Sequence, residues 1–265
     1  MLHKGSPSVD SHPLNVLSVC SGGGGLDLGF KRAVPKSKPV CYVENEVPAA
    51  GVLAHHLEQG TLGEAPIWTD LRTFAAEPWR GVVDCVIGGY PCQPFSIAGK
   101  RLGKSDPRHL WPFIERIVET TEPAYCFFEN VPLHLRDGFD EVAGSLHGMG
   151  FEVAAGLFAA AEVGAPHERE RLFIFAAHTE RARSTGLGKG DTSSIFGGWE
   201  WRGAEDVQSI LDAPFERGNR WPQPLLRGMD DGLAHRYERL QIVGNGVVQQ
   251  QAAYALHVLS TALEL

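Results

Sequence analysis

The sequence predicts an α/β fold in which a parallel β-sheet carries helices on both faces. Two features indicate this class: short apolar runs alternate with helical stretches over the first two-thirds of the chain, and a glycine-rich turn follows the first run. The 265 residues are 43% hydrophobic and 21% charged, which is ordinary for a globular protein. This composition excludes a disordered chain or a coiled coil, and the length suits one large domain or one and a half.

The first strand and the first helix flank a run of four glycines. Residues 15–20 form an apolar run that is typical of a strand buried on both faces. Residues 26–33 have helical composition and begin directly after the glycines. A second strand at residues 40–43 and a helix at residues 48–56 continue the alternation.

The alternation continues to residue 177. The predicted strands are residues 82–87, 124–128, 152–160 and 172–177, and the predicted helices are residues 110–119 and 138–149. Strands that alternate with helices of about ten or more residues imply crossover connections and therefore a parallel sheet.

The sequence changes character after residue 177. Residues 178–228 are rich in glycine, contain three tryptophans and show no clean period, which predicts a small irregular lobe. Residues 246–263 predict a helix whose apolar stripe consists of Val247, Ala252, Leu256 and Leu259. The expected units are therefore an α/β domain at residues 1–177, the lobe at residues 178–228 and a C-terminal segment at residues 229–265.

Charge and cysteine usage narrow the function classes. The chain has 24 Lys and Arg against 32 Asp and Glu, and this net charge of −8 argues against a nucleic-acid partner unless basic residues cluster locally. The five cysteines lack Cys-x-x-Cys spacing, so neither a zinc site nor a disulfide framework is supported. No apolar run reaches the roughly 20 residues of a membrane span, and no secretion signal is recognisable. We expect a cytoplasmic protein without a metal or a membrane segment.

The glycine turn and one acid predict a nucleoside site. Residues 21–25 place bare backbone N–H groups at the carboxyl end of the first strand, where open α/β folds bind ligands. The strict Gly-x-Gly-x-x-Gly spacing of pyrophosphate sites is absent. Glu44, which ends the second strand, is suited to accept both ribose hydroxyls. A nucleoside without phosphate, such as S-adenosylmethionine, fits this combination.

Cys92 is a candidate nucleophile. Pro91 and Pro94 lie on either side of it, in the loop that follows the third strand, and prolines exclude regular ladder pairing. A buried cysteine is usually only a small hydrophobic residue, but these prolines favour a rigid loop. An ordinary thiol is only a few per cent thiolate at pH 7, so the site would have to activate it.

Glu129 is a candidate proton donor, and two arginines accompany it. Glu129 ends the apolar strand 124–128, and partial burial would raise its pKa, as proton donation near neutral pH requires. Arg169 and Arg171 are two residues apart on an extended segment, so both side chains point to the same face. There they could contact a carbonyl or a phosphate group together.

Taken together, these motifs resemble those of the cytosine-C5 DNA methyltransferases of prokaryotes and phages. The resemblance covers nearly the whole chain except residues 178–228. It is carried, in order, by Ser21-Gly22-Gly23-Gly24-Gly25-Leu26, Glu44, Asp70, Pro91-Cys92-Gln93, Glu129-Asn130-Val131, Arg169-x-Arg171 and Gly244-Asn245-Gly246-Val247. Two positions depart from the family pattern, because Cys20 replaces the customary Phe and His167 the customary Gln.

The resemblance implies a Rossmann-like methyltransferase that uses S-adenosylmethionine. Cys92 would attack C6 of a cytosine that has been flipped out of the DNA duplex, and Glu129 would hold and protonate N3. Arg171, with Arg169 behind it, would stabilise the exocyclic oxygen of the base. The implied cofactor contacts are Cys20, Ser21, Gly22, Gly23, Gly24, Gly25, Leu26, Glu44, Asn45, Asp70, Leu71, Gly89, Pro91, Leu110, Asn245 and Val247.

The resemblance also implies DNA contacts. The basic segment at residues 99–108 follows the nucleophile directly and resembles the mobile loop with which this family closes over DNA. The implied contacts there are Gln93, Ser96, Lys100, Arg101 and Arg108. Residues 178–228 would form a short target-recognition region with candidate contacts Arg181, Arg183, Lys189, Arg202 and Arg220. For any one of these five, plain solvation of a small lobe is an equal alternative.

Two other functions stay open at this stage. One is cytosine-C5 methylation of a structured RNA, although the Cys-Phe-Thr element of the related transfer-RNA enzymes is absent from the sequence. The other is a non-catalytic cofactor-binding relative, although the candidate nucleophile, acid and arginines are all present. We expect a monomer that acts on double-stranded DNA, with a cognate restriction endonuclease as a candidate partner.

Overall fold

The computed structural model describes residues 13–91, 109–184 and 246–263. In these parts of the chain a seven-stranded sheet forms the centre of the fold. Its strands are β1 (Leu14–Val19), β2 (Ser37–Val43), β3 (Ile67–Trp68), β4 (Cys85–Gly89), β5 (Tyr125–Asn130), β6 (Phe151–Ala159) and β7 (Glu170–His178). The α-helices are α1 (Gly25–Ala33), α2 (Val47–Glu58), α3 (Trp111–Thr121), α4 (His134–Asp137), α5 (Phe139–Gly148), α6 (Thr179–Ser184) and α7 (Gln249–Ala262).

The sheet is mixed, so the prediction of a wholly parallel sheet was wrong. The strand order is β3-β2-β1-β4-β5-β7-β6, and β7 runs antiparallel to both β5 and β6. The reason is the short β6–β7 connection at residues 160–169, since a parallel crossover needs about a dozen residues or more. The other predicted elements are confirmed in place, with shifted ends.

Two local corrections concern element boundaries. Residues 82–84 precede β4 rather than belong to it, because the N–H groups of Val82 and Val83 bond to the carbonyl of Trp79 in a turn. The helix predicted at 138–149 begins one residue after Gly138, and the short helix α4 precedes it. The irregular lobe predicted at 178–228 begins instead as the end of β7 and α6, and from residue 185 it falls outside the described residues.

Helices cover both faces of the sheet, as predicted. Apolar side chains of α1 and α7 pack on one face, and those of α3 and α5 pack on the other. Strand β5 shows the alternation: Tyr125 and Phe127 belong to the first core, and Cys126 and Phe128 to the second. No helix in the described parts of the chain is both long and apolar enough to cross a bilayer.

Chain direction creates a crevice between β1 and β4. From β1 the chain proceeds through β2 and β3 to one side, and from β4 through β5 to the other. Ligands of open α/β sheets bind outside the carboxyl ends of the strands at such a switch point. The glycine turn after β1 and the loop after β4 meet there.

Candidate active site

A cavity of about 460 Å³ opens at the carboxyl ends of β1, β2, β4 and β5. The walls include most of the residues predicted to contact a cofactor. These are Cys20, Ser21, Gly22, Gly23, Gly25, Leu26, Glu44, Asn45, Asp70, Leu71, Gly89, Pro91, Leu110 and Val247. The candidate acid Glu129 and the candidate arginine Arg171 line the same cavity.

Gly24 does not line the cavity, so its assignment as a cofactor contact is not supported. It caps the start of α1 with a φ of 82°, a left-handed conformation that favours glycine. A Cβ at this position would lie 2.7 Å from Cδ1 of Leu62. Gly24 is therefore required by the turn and by close packing.

The carboxylate of Glu44 is fixed from both sides by backbone groups. Its Oε2 accepts a hydrogen bond from the N–H of Gly22 at 2.6 Å, and its Oε1 accepts one from the N–H of Glu46 at 2.7 Å. The residue is buried yet lines the cavity. Each oxygen retains a lone pair for a further donor, so the site fits a ligand with neighbouring hydroxyl groups.

Asp70 and Cys20 line the cavity, one as a helix cap and the other as a neutral thiol. Oδ1 of Asp70 accepts from the N–H of Arg72 at 2.9 Å and caps the 3₁₀-helix Leu71–Thr73. Burial, reinforced by the charge of Glu44, raises the pKa of the Cys20 thiol to about 12. Cys20 is therefore a neutral wall residue and not a second nucleophile.

Glu129 is a buried acid held by an arginine. Its Oε1 lies 3.0 Å from Nε of Arg171. Burial raises the pKa of Glu129 to about 7, and this effect outweighs the opposite influence of Arg171 and Arg169. A substantial fraction of Glu129 is consequently protonated near neutral pH, as proton donation requires.

Arg169 does not reach the cavity alongside Arg171. Its guanidinium donates to the carbonyl oxygen of Gly246, in the segment that leads into α7. Its φ of 29° is unusual for a residue with a side chain and costs about 1–3 kcal/mol, which neighbouring contacts must offset. The two arginines therefore differ in position: Arg171 meets Glu129, and Arg169 holds the C-terminal segment.

Comparison with known proteins assigns the chain to a family. Residues 14–200, more than half of the chain, match the family model described as C-5 cytosine-specific DNA methylase. The chain belongs to this family.

The relatives of this C-5 cytosine methylase chain include named bacterial enzymes. It is 33% identical over 168 residues to Type II methyltransferase M.NgoMIV of Neisseria gonorrhoeae, covering 62% of this chain and 52% of the relative. It is 31% identical over 207 residues to Type II methyltransferase M.AluI of Cellulosimicrobium cellulans, covering 72% and 39%. The chain thus spans about half the length of the curated relatives it matches, or less.

A solved structure supports the fold at lower identity. A mutant of DNMT2 from Spodoptera frugiperda superposes with a TM-score of 0.53 and 23% identity, covering 62% of this chain and 50% of that chain. This similarity confirms the Rossmann-like α/β fold expected from the sequence.

Several predicted residues of this methylase chain lie outside the described residues. They are Cys92, Gln93, Ser96, Lys100, Arg101, Arg108, Lys189, Arg202, Arg220 and Asn245. Pro91, the residue directly before Cys92, lines the cavity. Arg183 is described only as part of the backbone of α6.

Arg181, one of the five candidate DNA contacts of the recognition region, packs against the sheet. Its guanidinium lies 5.9 Å from the centre of the Phe151 ring and 3.5 Å from the carbonyl oxygen of Pro123. Pro123 precedes β5, so Arg181 lies at the end of the sheet opposite the cavity.

A hydrogen-bonded group at the cavity, in which Tyr90 and Asn130 are wall residues, was not predicted. Nδ2 of Asn130 donates to the carbonyl oxygen of Tyr90, and the Tyr90 hydroxyl lies 2.9 Å from Nε2 of His134. All three residues are buried. Asn130 belongs to the Glu129-Asn130-Val131 motif and Tyr90 stands two residues before Cys92, but no sequence signal linked them to each other or to His134.

Proposed function

We propose that this chain transfers a methyl group from S-adenosylmethionine to C5 of cytosine in double-stranded DNA, through a transient bond between Cys92 and C6. One observation carries the proposal: the Glu129–Arg171 pair, the Glu44 carboxylate and the loop that leads into Cys92 share one cavity. The family membership and the names of its Type II relatives support DNA as the substrate.

The residues of the cavity fit the cofactor. Glu44 offers two fixed carboxylate oxygens to the ribose hydroxyls, and the glycine turn leaves space beside β1. Asn45, Leu71, Leu110 and Val247 provide the remaining walls on the proposed adenine side. When bound, S-adenosylmethionine would supply the electrophilic methyl group.

Cys92, Glu129 and Arg171 would each have a separate role in the reaction. The Cys92 thiolate would add its electron pair to C6 of the flipped base, while protonated Glu129 donates to N3 and makes the ring accept electrons. Arg171 would donate to the exocyclic oxygen, where negative charge develops. After methyl transfer, a base would remove the C5 proton, the electrons would re-form the C5–C6 double bond, Cys92 would leave as thiolate, and the N3 proton would return to Glu129.

The remaining expectations are also part of the proposal. The basic segment around Lys100, Arg101 and Arg108 would contact DNA phosphates, together with Gln93 and Ser96 near the base. Residues 178–228 would read a short target. A Type II assignment makes a cognate restriction endonuclease a candidate partner, and we expect the chain to act as a monomer in the cytoplasm.

Methyl incorporation by purified wild type and Cys92→Ser tests this function. With labelled S-adenosylmethionine, wild type should methylate duplex DNA, and Cys92→Ser should lose transfer while calorimetry shows unchanged cofactor binding. Bisulfite sequencing of DNA from expressing cells should locate the modified cytosines. Retained turnover by Cys92→Ser would refute the covalent mechanism. Transfer to RNA instead of DNA would favour the RNA alternative.

A further inference from the structure

Gln251 is a buried polar residue of α7 whose amide joins the two ends of the β6–β7 connection. It is 0% exposed. Its Nε2 donates to the carbonyl oxygen of Phe158 at 2.7 Å and to that of Arg169 at 2.9 Å. These partners are 93 and 82 residues away in the sequence. Both amide hydrogens are thus used on the backbone of this one connection.

The hydrogen bond to Arg169 supports a strained backbone. Arg169 has a φ of 29°, which a residue with a Cβ adopts only when its surroundings enforce it. The N–H of Ala160 also donates to the carbonyl oxygen of Arg169, at 3.4 Å, and donates at 2.7 Å to that of Glu168. Gln251 therefore provides the shorter of the two hydrogen bonds to this carbonyl.

The C-terminal segment also holds the side chain of Arg169. The guanidinium donates to the carbonyl oxygen of Gly246, which lies five residues before Gln251 on the same segment. Between them, Val247 packs so closely on the glycine turn that a Cβ at Gly25 would be 2.8 Å from its carbonyl oxygen. The segment at residues 246–251 thus contacts the glycine turn and also holds Arg169, by its side chain and by its backbone carbonyl.

Arg169 is followed, two positions later, by the arginine that pairs with the acid. Arg171 is in β7, and its Nε lies 3.0 Å from Oε1 of Glu129. We infer that Gln251 is a positioning residue, which sets the meeting point of Arg171 and Glu129 by holding the backbone of Arg169. The catalytic consequence rests on the proposed function, but the geometric consequence does not.

The test measures Glu129 directly, without methyl transfer. Glutamate carboxyl carbons are labelled with ¹³C, the Glu129 signal is assigned by its loss in Glu129→Gln, and its titration is followed in wild type, Gln251→Met and Gln250→Met. Met has a length close to that of Gln and no donor group. Gln250 is a buried neighbour on the same helix for which no side-chain hydrogen bond is found within the described residues, and it is the matched control.

Gln251→Met should raise the midpoint of the Glu129 titration by about 0.5 pH unit or more, because the cation that favours its charged form moves away. Gln250→Met should leave the midpoint unchanged. An unchanged midpoint in Gln251→Met would overturn the positioning role, whether or not wild type methylates DNA. Equal shifts in both variants would also overturn it, since they would show a general loosening of α7.

Two further measurements complete the test. If wild type methylates DNA, Gln251→Met should lower kcat about ten- to a hundredfold and change the KM for S-adenosylmethionine less than twofold, as expected for misplaced groups. A loss confined to KM would contradict the proposal. If Gln251→Met does not fold, hydrogen exchange in wild type is measured instead by ¹⁵N NMR. The two Nε2 protons of Gln251 should exchange slowly with solvent, because both are hydrogen-bonded and buried. Fast exchange of both protons would refute the paired hydrogen bonds.

Discussion

The Nδ2 of Asn130 lies 3.1 Å from the carbonyl oxygen of Tyr90 and ties the end of β5 to the end of β4. Its own Oδ1 accepts from the N–H of Val131 at 2.9 Å, so both ends of the amide are used. Tyr90 precedes Pro91 and Cys92, and Asn130 follows Glu129. One amide therefore joins the backbone beside the proposed acid to the backbone that leads to the proposed nucleophile.

Replacing Asn130 by Ala should lower both stability and methyl transfer. The loss should be about 1–3 kcal/mol in the free energy of unfolding, because a buried carbonyl is left without its partner. Asn15→Ala is the control: its Nδ2 donates to the carbonyl of Val82 at 2.9 Å in an exposed place at the other end of the sheet. Denaturant unfolding and single-turnover assays should show that Asn15→Ala keeps full activity. Equal activity of the two variants would contradict the role of Asn130.

Methyl transfer should depend on the protonated form of Glu129. Because burial raises its pKa to about 7, kcat/KM should fall as pH rises through about 7. The pKa of the nearby His134 is lowered to about 4 by burial, so His134 cannot produce this limb. Glu129→Gln should lose about 10²–10⁴-fold in rate. Glu119 of α3 is exposed, so the control Glu119→Gln should keep both the rate and the pH profile. A wild-type profile of kcat/KM that is flat from pH 6 to 9 would exclude Glu129 as the acid.

Gly25 and Gly51 should respond to alanine in opposite directions. A Cβ at Gly25 would lie 2.8 Å from the backbone oxygen of Val247, so Gly25→Ala should cost about 1–3 kcal/mol and weaken cofactor binding. A Cβ at Gly51, inside α2, meets nothing within 4 Å, so Gly51→Ala should stabilise by about 0.5–1 kcal/mol. Unfolding midpoints and calorimetric titration with S-adenosylmethionine measure both effects. Two equally stable variants would refute the close contact.

Asp27 should make the stability of the fold depend on pH. It is buried in α1 below the glycine turn, its Oδ2 finds no hydrogen-bond partner within the described part of the chain, and burial raises its pKa to about 6. The folded state therefore retains a proton that the unfolded state releases near pH 3.8. The resulting stabilisation is full below about pH 4 and disappears as pH rises through about 6, with a change of about 3 kcal/mol.

Asp27→Asn removes this titration. Urea denaturation at pH 4 and pH 7 measures the free energy of unfolding of both proteins. Relative to wild type, Asp27→Asn should be more stable at pH 7 than at pH 4. Any constant penalty from the new amide cancels in that difference. If the gap between variant and wild type is the same at both pH values, Asp27 does not titrate in this range.

Local pattern was sufficient for most elements, and for the glycine turn and Glu44 of the cavity. Apolar runs and glycine turns are set by neighbouring residues, so the predicted helices and strands were confirmed with small shifts at their ends. Carboxyl ends of parallel strands meet at one edge of a sheet, which is why residues after β1, β2, β4 and β5 could be grouped in advance. Fourteen of the residues that the family resemblance implied as cofactor contacts line the cavity. Gly24, from the same motif, does not line the cavity, because its residue type and position could not distinguish a packing requirement from a ligand contact.

The sequence by itself determined the order of the motifs, the residue types that chemistry needs and the alternation that builds the sheet. Only the tertiary structure decided the antiparallel insertion of β7, the separation of Arg169 from Arg171, and the role of Gln251. Within α7, Gln251 lies four and eight residues before Ala255 and Leu259 and shares their buried face. Its partners, however, are more than 80 residues away. Such contacts arise from packing of distant segments, and local spacing carries no information about them.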